Sequence, residues 1–183
     1  MLALPIKLDK KTDWPGALAK YVKATYGKRQ AEAHRDKFQQ VGALRDKLGS
    51  LVPGDQEQGG GRALTARYLK LLAAMESRFD FDQLRMTFHW RDAFQHGVKQ
   101  AHVDLEFERV AVTYNLGALI SHLAISQRRD TADGIKAACA HFQQAAAVLA
   151  SLRPRVAAAS WGNHEVVDLS ARTLEALQTL MLA

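Results

Sequence analysis

The histidine, cysteine and glycine residues of this sequence do not stand at the spacings that metal binding or covalent catalysis requires. No two histidines form a His-Glu-x-x-His pair, and His164-Glu165 lacks the second histidine of such a zinc site. Cys139 lies on an apolar helical stripe without an adjacent base, which indicates a small core residue rather than a nucleophile. The glycines at 54 and 59–61 are not followed by Gly-Lys-Ser or Gly-Lys-Thr, as a phosphate loop would be. We therefore predict no catalytic residues, no cofactor and no metal, and a protein that is not an enzyme.

The positive charge of the chain raises a different possibility, that of a binding surface for anions. The formal net charge is +6, and part of it is concentrated near the N-terminus. No nucleic-acid motif accompanies this charge, and Phe88, Trp90 and Phe94 are more typical of a sheet-to-helix core than of a base-stacking platform. We expect no nucleic-acid partner, and a surface that either faces anionic lipid or only keeps the protein soluble. The basic residues concerned are Lys7, Lys10, Lys11, Lys20, Lys23, Lys28 and Arg29.

Length and composition indicate one globular domain. The chain has 183 residues, of which 48% are apolar and 24% charged. A single cysteine excludes an intrachain disulfide, which favours the cytoplasm. The N-terminus has no signal-peptide pattern, and the longest apolar stretch, 110–125, is interrupted by Asn115 and His122 and is too short to span a bilayer.

Hydrophobic periodicity predicts a mainly helical protein with a small amount of strand. Three- and four-residue spacing of apolar residues marks the helices, and alternation marks the strands. Helix-capping residues stand at Asp13 and Thr131, the last helix is expected to begin near Ser170, and Pro154 is expected to end the regular part of its helix. The predicted helices cover 13–27, 30–51, 63–79, 104–128, 133–153 and 170–183, and the predicted strands cover 4–9 and 81–94.

The helix over 104–128 is apolar nearly all the way round, which places it at the centre of the fold. Asn115 and His122 interrupt its apolar surface, and a buried amide or imidazole must find hydrogen-bond partners. We expect both to be satisfied structural groups, with Asn115 bonding a neighbouring backbone. Gly117 is expected to permit close approach of a crossing helix.

Several ordered segments resemble the Bro domain family, of the Alix, Rhophilin and His-domain protein tyrosine phosphatase type. The opening at 4–9, followed by the helix that ends at Gly27, is similar to the start of that domain. The segments at 88–94, 105–110 and 114–119 resemble its strand and central-helix signature, and those at 134–143 and 169–183 continue the match in order.

The resemblance implies an elongated, curved helical bundle, similar to a tetratricopeptide scaffold, with a small sheet near the N-terminus. Domains of the family are about twice as long as this chain. We therefore expect residues 1–183 to be the N-terminal half of a Bro-type domain, incomplete at the C-terminus, either as a fragment of a longer domain or as a divergent short form.

The resemblance also implies a non-enzymatic adaptor of endosomal sorting at the multivesicular body. Such domains bind an amphipathic C-terminal helix of an ESCRT-III subunit on their concave face, and the protein would be cytoplasmic and recruited to endosomes. Lys136 matches a basic contact of that groove, and Asp133 lies at or next to an acidic one. The two residues could equally form a solvated pair on one helix face. Alternative functions are a Rho-type GTPase signalling scaffold and a peripheral binder of anionic membrane.

Overall fold

In the computed structural model, residues 2–51, 60–95, 97–161 and 167–183 are described, and they form a mainly helical fold with a two-stranded sheet. Of the glycines considered above for a phosphate loop, those at 54 and 59 lie outside these residues, and those at 60 and 61 begin a helix. In chain order the elements are α1 (Trp14–Tyr26), α2 (Lys28–Ala33), α3 (Arg35–Gly49), α4 (Gly60–Glu76), α5 (Phe81–Leu84), β1 (Phe88–Arg91), β2 (Lys99–His102), α6 (Leu105–Ser126), α7 (Ala132–Ala158) and α8 (Ala171–Leu182).

The predicted helix caps form as expected. The Asp13 side chain accepts a hydrogen bond from the backbone N–H of Gly16 at 3.0 Å and so satisfies one of the free donors at the start of α1. Gly27 ends α1 with a φ of +88°, a conformation that favours glycine. Thr131 accepts in the same way from Gly134 at the start of α7. Ser170, near which the last helix was expected to begin, accepts from the N–H of Thr173 at the start of α8.

The helix predicted over 30–51 is divided at His34 into α2 and α3. His34 has a φ of −109° and a ψ of 7°, outside the helical range, although its N–H still donates to the carbonyl of Gln30. Its ring contacts Phe38 edge-on at 6.4 Å between centroids. Because every residue around His34 is compatible with a helix, the sequence pattern gave no signal for the break.

The strand predicted over 81–94 is wrong in extent, since only Phe88–Arg91 form β1. Before it, Asp80 caps the short helix α5 by accepting from the N–H groups of Asp82 and Gln83. Arg85 ends α5 with a φ of +46°. The sheet pairs β1 with β2 in antiparallel register, Phe88 opposite His102.

The strand predicted over 4–9 is also wrong in extent. A bridge joins Asp9 to Trp90, and the backbone of Arg91 donates to the carbonyl of Leu8 at 2.8 Å. The preceding residues lie along α6 instead, because side chains of that helix bind their backbone. The Ser121 hydroxyl accepts from the N–H of Leu4 at 2.9 Å.

The polar residues of α6 are structural, as predicted. Asn115 binds the backbone of Lys7 twice, accepting from its N–H at 2.8 Å and donating to its carbonyl at 3.0 Å. His122 contacts the carbonyl of Leu4 through Nε2 at 3.0 Å. The Gly117 position lies against Val148 of α7, where an added Cβ would stand 3.3 Å from a methyl carbon. α6 therefore holds both the N-terminal segment and α7.

Two predictions about α7 are corrected. The helix continues through Pro154 to Ala158, because loss of one backbone donor near its end is offset by buried Val156 and by Arg155 binding the Glu106 carboxylate at 2.5 and 3.0 Å. Cys139 is exposed rather than buried, and Ala138 lies in the interior. A shift of one residue turns a helical stripe by about 100°, so the inward face at this end was misplaced.

Phe107 tests whether α6 is the centre of the core. Its side chain is fully buried and its ring contacts Trp161 at 5.1 Å between centroids. Phe107→Ala should lower the free energy of unfolding by about 3 to 5 kcal/mol through lost burial and cavity formation. Urea denaturation measures this loss. Phe94→Ala, at a side chain that is 43% exposed, is the control and should cost less than about 1 kcal/mol. Equal losses in the two variants would contradict the central position of α6.

Candidate protein-binding surface

The first group of interacting charged and polar side chains is a buried cluster around Glu108. The Glu108 carboxylate is fully buried and accepts hydrogen bonds from Arg45 Nε at 2.5 Å, the Tyr68 hydroxyl at 2.9 Å and Trp90 Nε1 at 2.7 Å. Arg45 also binds Asp9. The cluster thus joins α3, α4, β1 and the N-terminal segment to α6.

Burial and ion pairing govern the electrostatics of this cluster. Burial opposes the charged guanidinium, but the Glu108 carboxylate and the other acidic neighbours hold the pKa of Arg45 above its ordinary value. Burial, reinforced by Glu108, raises the pKa of the Tyr68 phenol well above its usual range. Tyr68 also accepts from Trp14 Nε1 at 3.0 Å. Solvent does not reach these groups and their polar atoms bind one another, so the arrangement is suited to structure rather than to catalysis.

Arg45 lies in the interior, although the charged residues that follow it, Asp46 and Lys47, are typical of a solvated helix face. Its side chain is 1% exposed, and the guanidinium lies over the Trp90 ring at 4.6 Å from the centroid. Its acidic partner Glu108 is 63 residues away in sequence. A local charge pattern could not reveal that pairing.

A second buried cluster joins the N-terminal segment to the segment before α8. The Lys7 ammonium binds the Asp168 carboxylate, which also accepts from the N–H of Ala93 at 2.6 Å. Both side chains are fully buried, and burial lowers the pKa of Lys7 and raises the pKa of Asp168. Lys7 therefore does not belong to the basic surface on which the sequence analysis placed it.

The cluster around Glu108 is tested by breaking and then removing its central ion pair. Glu108→Leu leaves a buried guanidinium without its main partner and should cost about 3 to 5 kcal/mol of stability. The double variant Arg45→Met/Glu108→Leu should cost less than the sum of the single variants, because no unpaired charge remains at the centre. A double-mutant cycle by urea denaturation measures the difference.

The exposed pair between Glu76 and Arg109, at 2.6 Å, is the control for this cycle. Because Glu76 is partly solvated, Glu76→Leu should change stability by less than about 1 kcal/mol. Additive losses at Arg45 and Glu108 would contradict the role of the buried pair.

Asp92 makes stability depend on pH. Its carboxylate accepts from the N–H groups of Phe94, Gln95 and Asp168 at 2.8, 2.9 and 3.1 Å. Burial opposes its charge, but these three donors lower the pKa of Asp92 below its ordinary value. The stabilisation is therefore present above the unfolded-state pKa of about 3.9 and is lost as the pH falls through the folded-state pKa.

Asp92→Asn should destabilise the protein at pH 7, because the amide nitrogen cannot accept from a backbone N–H. The difference from the unchanged protein should shrink below about pH 4, where the carboxyl group also becomes neutral. Urea denaturation between pH 3 and pH 7 measures both proteins, on a scale set by the aspartate pKa of about 3.9. A difference that is independent of pH would show that charge is not the cause.

The two predicted contact residues, Asp133 and Lys136, are both exposed at the start of α7. Within the described part of the chain neither makes an ion pair or a side-chain hydrogen bond, so the solvated pair considered in the sequence analysis does not form. Ile135, which is 49% exposed, and the exposed Cys139 lie on the side of Lys136, whereas Asp133 is about 160° round the helix axis from Ile135 and flanks Lys136 only. We call Asp133, Ile135, Lys136 and Cys139 the α7 face. It offers both charges and an apolar side chain to a partner.

Part of the predicted basic surface is neutralised. Lys11 pairs with Asp46 at 3.2 Å, and Lys28 pairs with Glu32 at 3.6 Å. Lys10, Lys20, Lys23 and Arg29 have no such partner among the described residues. Binding to anionic membrane stays a prediction that rests on these four.

In the described ranges, no three His, Cys, Asp or Glu residues are placed to hold a metal ion, and no helix is long and apolar enough to cross a membrane.

Comparison with known proteins adds a family assignment to this geometry. The profile of the BRO1-like domain matches residues 1–183, the whole chain. The chain belongs to the BRO1-like domain family. The predicted membership and the mainly helical fold with a small sheet are both confirmed.

Relatives of this BRO1-like domain are considerably longer. The chain is 29% identical to ALG-2 interacting protein X of Dictyostelium discoideum and 32% identical to vacuolar-sorting protein BRO1 of Arabidopsis thaliana. Both alignments cover 100% of this chain, and 23% and 22% of those proteins. The chain therefore spans less than a quarter of the length of these relatives.

Solved structures of ALIX superpose on the whole length of this chain. ALIX in complex with the SIVmac239 PYKEVTEDL late domain matches with a TM-score of 0.86 and 27% identity, over 100% of this chain and 27% of that chain. The ALIX BRO1 domain in complex with CHMP4C matches with a TM-score of 0.84 and 26% identity, over 100% of this chain and 53% of that one.

Proposed function

We propose that this BRO1-like domain is a non-enzymatic adaptor of endosomal sorting that binds an amphipathic helix of an ESCRT-III subunit. One observation supports this most directly, the superposition of this whole chain on 53% of the ALIX BRO1 chain that was solved with CHMP4C, an ESCRT-III subunit. The similarity to vacuolar-sorting protein BRO1 favours the same role and recruitment to endosomes.

We propose the α7 face as the contact surface on this chain, on the side expected to be concave. Lys136 and Asp133 are free of intramolecular ion pairs within the described residues, so neither must break one to bind a partner. Ile135, which is 49% exposed, supplies apolar area beside the charges. An amphipathic helix binds such a surface through an apolar anchor flanked by complementary charges.

The position of this face on α7 suits binding. α7 is 27 residues long, and its other side is buried against α6 and α8 through Phe142, Ala145 and Leu149. A long helix that is anchored along one side keeps the exposed side chains in fixed relative positions. A preformed surface loses less entropy when a partner binds.

Fluorescence anisotropy of a labelled CHMP4C C-terminal helix, titrated with this chain, tests the proposal. We expect saturable binding that Lys136→Asp weakens by about tenfold, because the substitution replaces an attraction by a repulsion. Ile135→Ser should weaken binding through lost apolar contact. Lys47→Asp, at an exposed lysine on α3, is the matched charge control and should bind as the unchanged protein does.

Circular dichroism establishes that each variant is folded. Equal weakening by Lys136→Asp and Lys47→Asp would reject the α7 face in favour of a general effect of charge. Absence of binding by a folded chain would reject the proposal that these 183 residues are sufficient for it.

A further inference from the structure

A groove in the N-terminal half of the chain, formed by α1, α3 and α4, has no part in the function proposed above. It has a volume of about 630 Å³, within the range of roughly 300 to 1,000 Å³ that is typical of binding pockets. It is open along one side rather than enclosed. We call it the α1/α4 groove, and its floor is formed by Leu18, Val22, Phe38 and Met75.

The walls of the α1/α4 groove have the spacing of helix ridges. On α1, Leu18, Val22 and Tyr26 follow one another at intervals of four residues, and together they extend for about 12 Å. On the other side Leu71, Met75 and Arg78 stand at helical intervals along and just after α4. A groove between two such rows accepts the ridge of a third helix.

The charge of the rim is of one sign. Lys37 and Arg78 line the groove and are exposed, and no aspartate or glutamate is among the described residues that line it. Neither Lys37 nor Arg78 forms an ion pair with any residue that the structure describes. Two cations without partners beside an apolar floor are complementary to a ligand that carries apolar side chains and carboxylates.

Tyr26 gives the groove an aromatic anchor. Its side chain is 60% exposed, although it belongs to the same row as the buried Leu18 and Val22. Tyrosine is frequent among the residues that dominate binding energy at interfaces, because it combines a large apolar surface with a polar hydroxyl.

We infer that the α1/α4 groove is a second peptide-binding site, which takes an acidic amphipathic helix of a partner protein. The apolar face of the partner helix would lie on the floor between α1 and α4, and the carboxylates of that helix would pair with Lys37 and Arg78. The site shares no residue with the α7 face, so the inference stands independently of the function proposed there. A helix is favoured over a lipid chain because the groove is open and its walls follow helical spacing.

The probe for this site is a fluorescein-labelled synthetic peptide about four helical turns long, with leucines along one face and glutamates elsewhere. A second peptide carries lysine in place of each glutamate. Anisotropy titration should show saturable binding of the acidic peptide and much weaker binding of the basic one. Tyr26→Ala should weaken binding of the acidic peptide several-fold by removing the exposed anchor.

Charge reversal gives the decisive comparison. Lys37→Glu/Arg78→Glu should weaken binding of the acidic peptide by about tenfold or more and should strengthen binding of the basic peptide. Lys47→Glu/Lys70→Glu makes the same change of charge on α3 and α4 at exposed residues that do not line the groove, and should leave both affinities nearly unchanged. Lys136→Asp should also leave them unchanged.

Three results would overturn the inference. The first is equal loss of binding in the two charge-reversed double variants, which would show a general effect of net charge. The second is absence of peptide binding by the folded chain. The third is a dimer in sedimentation velocity that Tyr26→Ala converts to a monomer while the peptide does not bind, which would make a second copy of this chain the occupant.

Discussion

The fold depends on one fully buried carboxylate, that of Glu108. It accepts hydrogen bonds from side chains of α3, α4 and β1, and through Arg45 it is connected to Asp9 near the N-terminus. A buried charge must be compensated by hydrogen bonds and by an opposite charge, because an unpaired buried charge costs several kcal/mol. These directional hydrogen bonds fix the positions of α3, α4 and β1 relative to α6 more precisely than apolar contacts would. The positions of α3 and α4, which form two sides of the α1/α4 groove, follow from that constraint.

The local features of the fold could be predicted from sequence because their causes are local. Capping by Asp13 and Thr131 requires only the side chain and the next helical turn, and both caps form. The central position of α6 was visible because a helix with apolar residues on all sides has no solvated face to present. Asn115 was correctly assigned to backbone binding, since a buried amide has few other ways to satisfy its polar atoms.

The features that were missed depend on residues distant in sequence. Arg45 is followed directly by Asp46 and Lys47, so a solvated position is the natural expectation until its partner, 63 residues away, is known. β2 consists of Lys99 to His102, a segment with neither alternation nor β-branched residues, and its strand conformation comes from pairing with β1. Cys139 was misplaced because several alanines on α7 make the inward stripe ambiguous by one residue. For Asp133 and Lys136 of the α7 face, the resemblance supplied the residue numbers, but only the structure showed that their charges are unpaired within the described chain.

The charged residues of the chain thus fall into groups with different physical roles. Arg45 and Lys7 are matched inside the protein and contribute to its architecture. Lys11 and Lys28 are matched on the surface, where solvent weakens each pair. Lys136 and the two groove cations are not matched by any described residue, and they carry the long-range attraction that a partner would meet. Net charge alone does not distinguish these groups.

The manner in which α6 holds residues 4–7 has a consequence for how this segment tolerates change. Ser121, His122 and Asn115 bind the backbone of Leu4 and Lys7, not their side chains. Pro5, which has no N–H group, fits between these two residues because none of these hydrogen bonds requires a backbone donor at position 5. Substitution of a partly exposed residue such as Ile6 leaves every one of these hydrogen bonds in place. Insertion or deletion of a single residue between Leu4 and Lys7 would instead put the backbone out of phase with the polar side chains of α6, so the length of this segment is constrained more tightly than its composition.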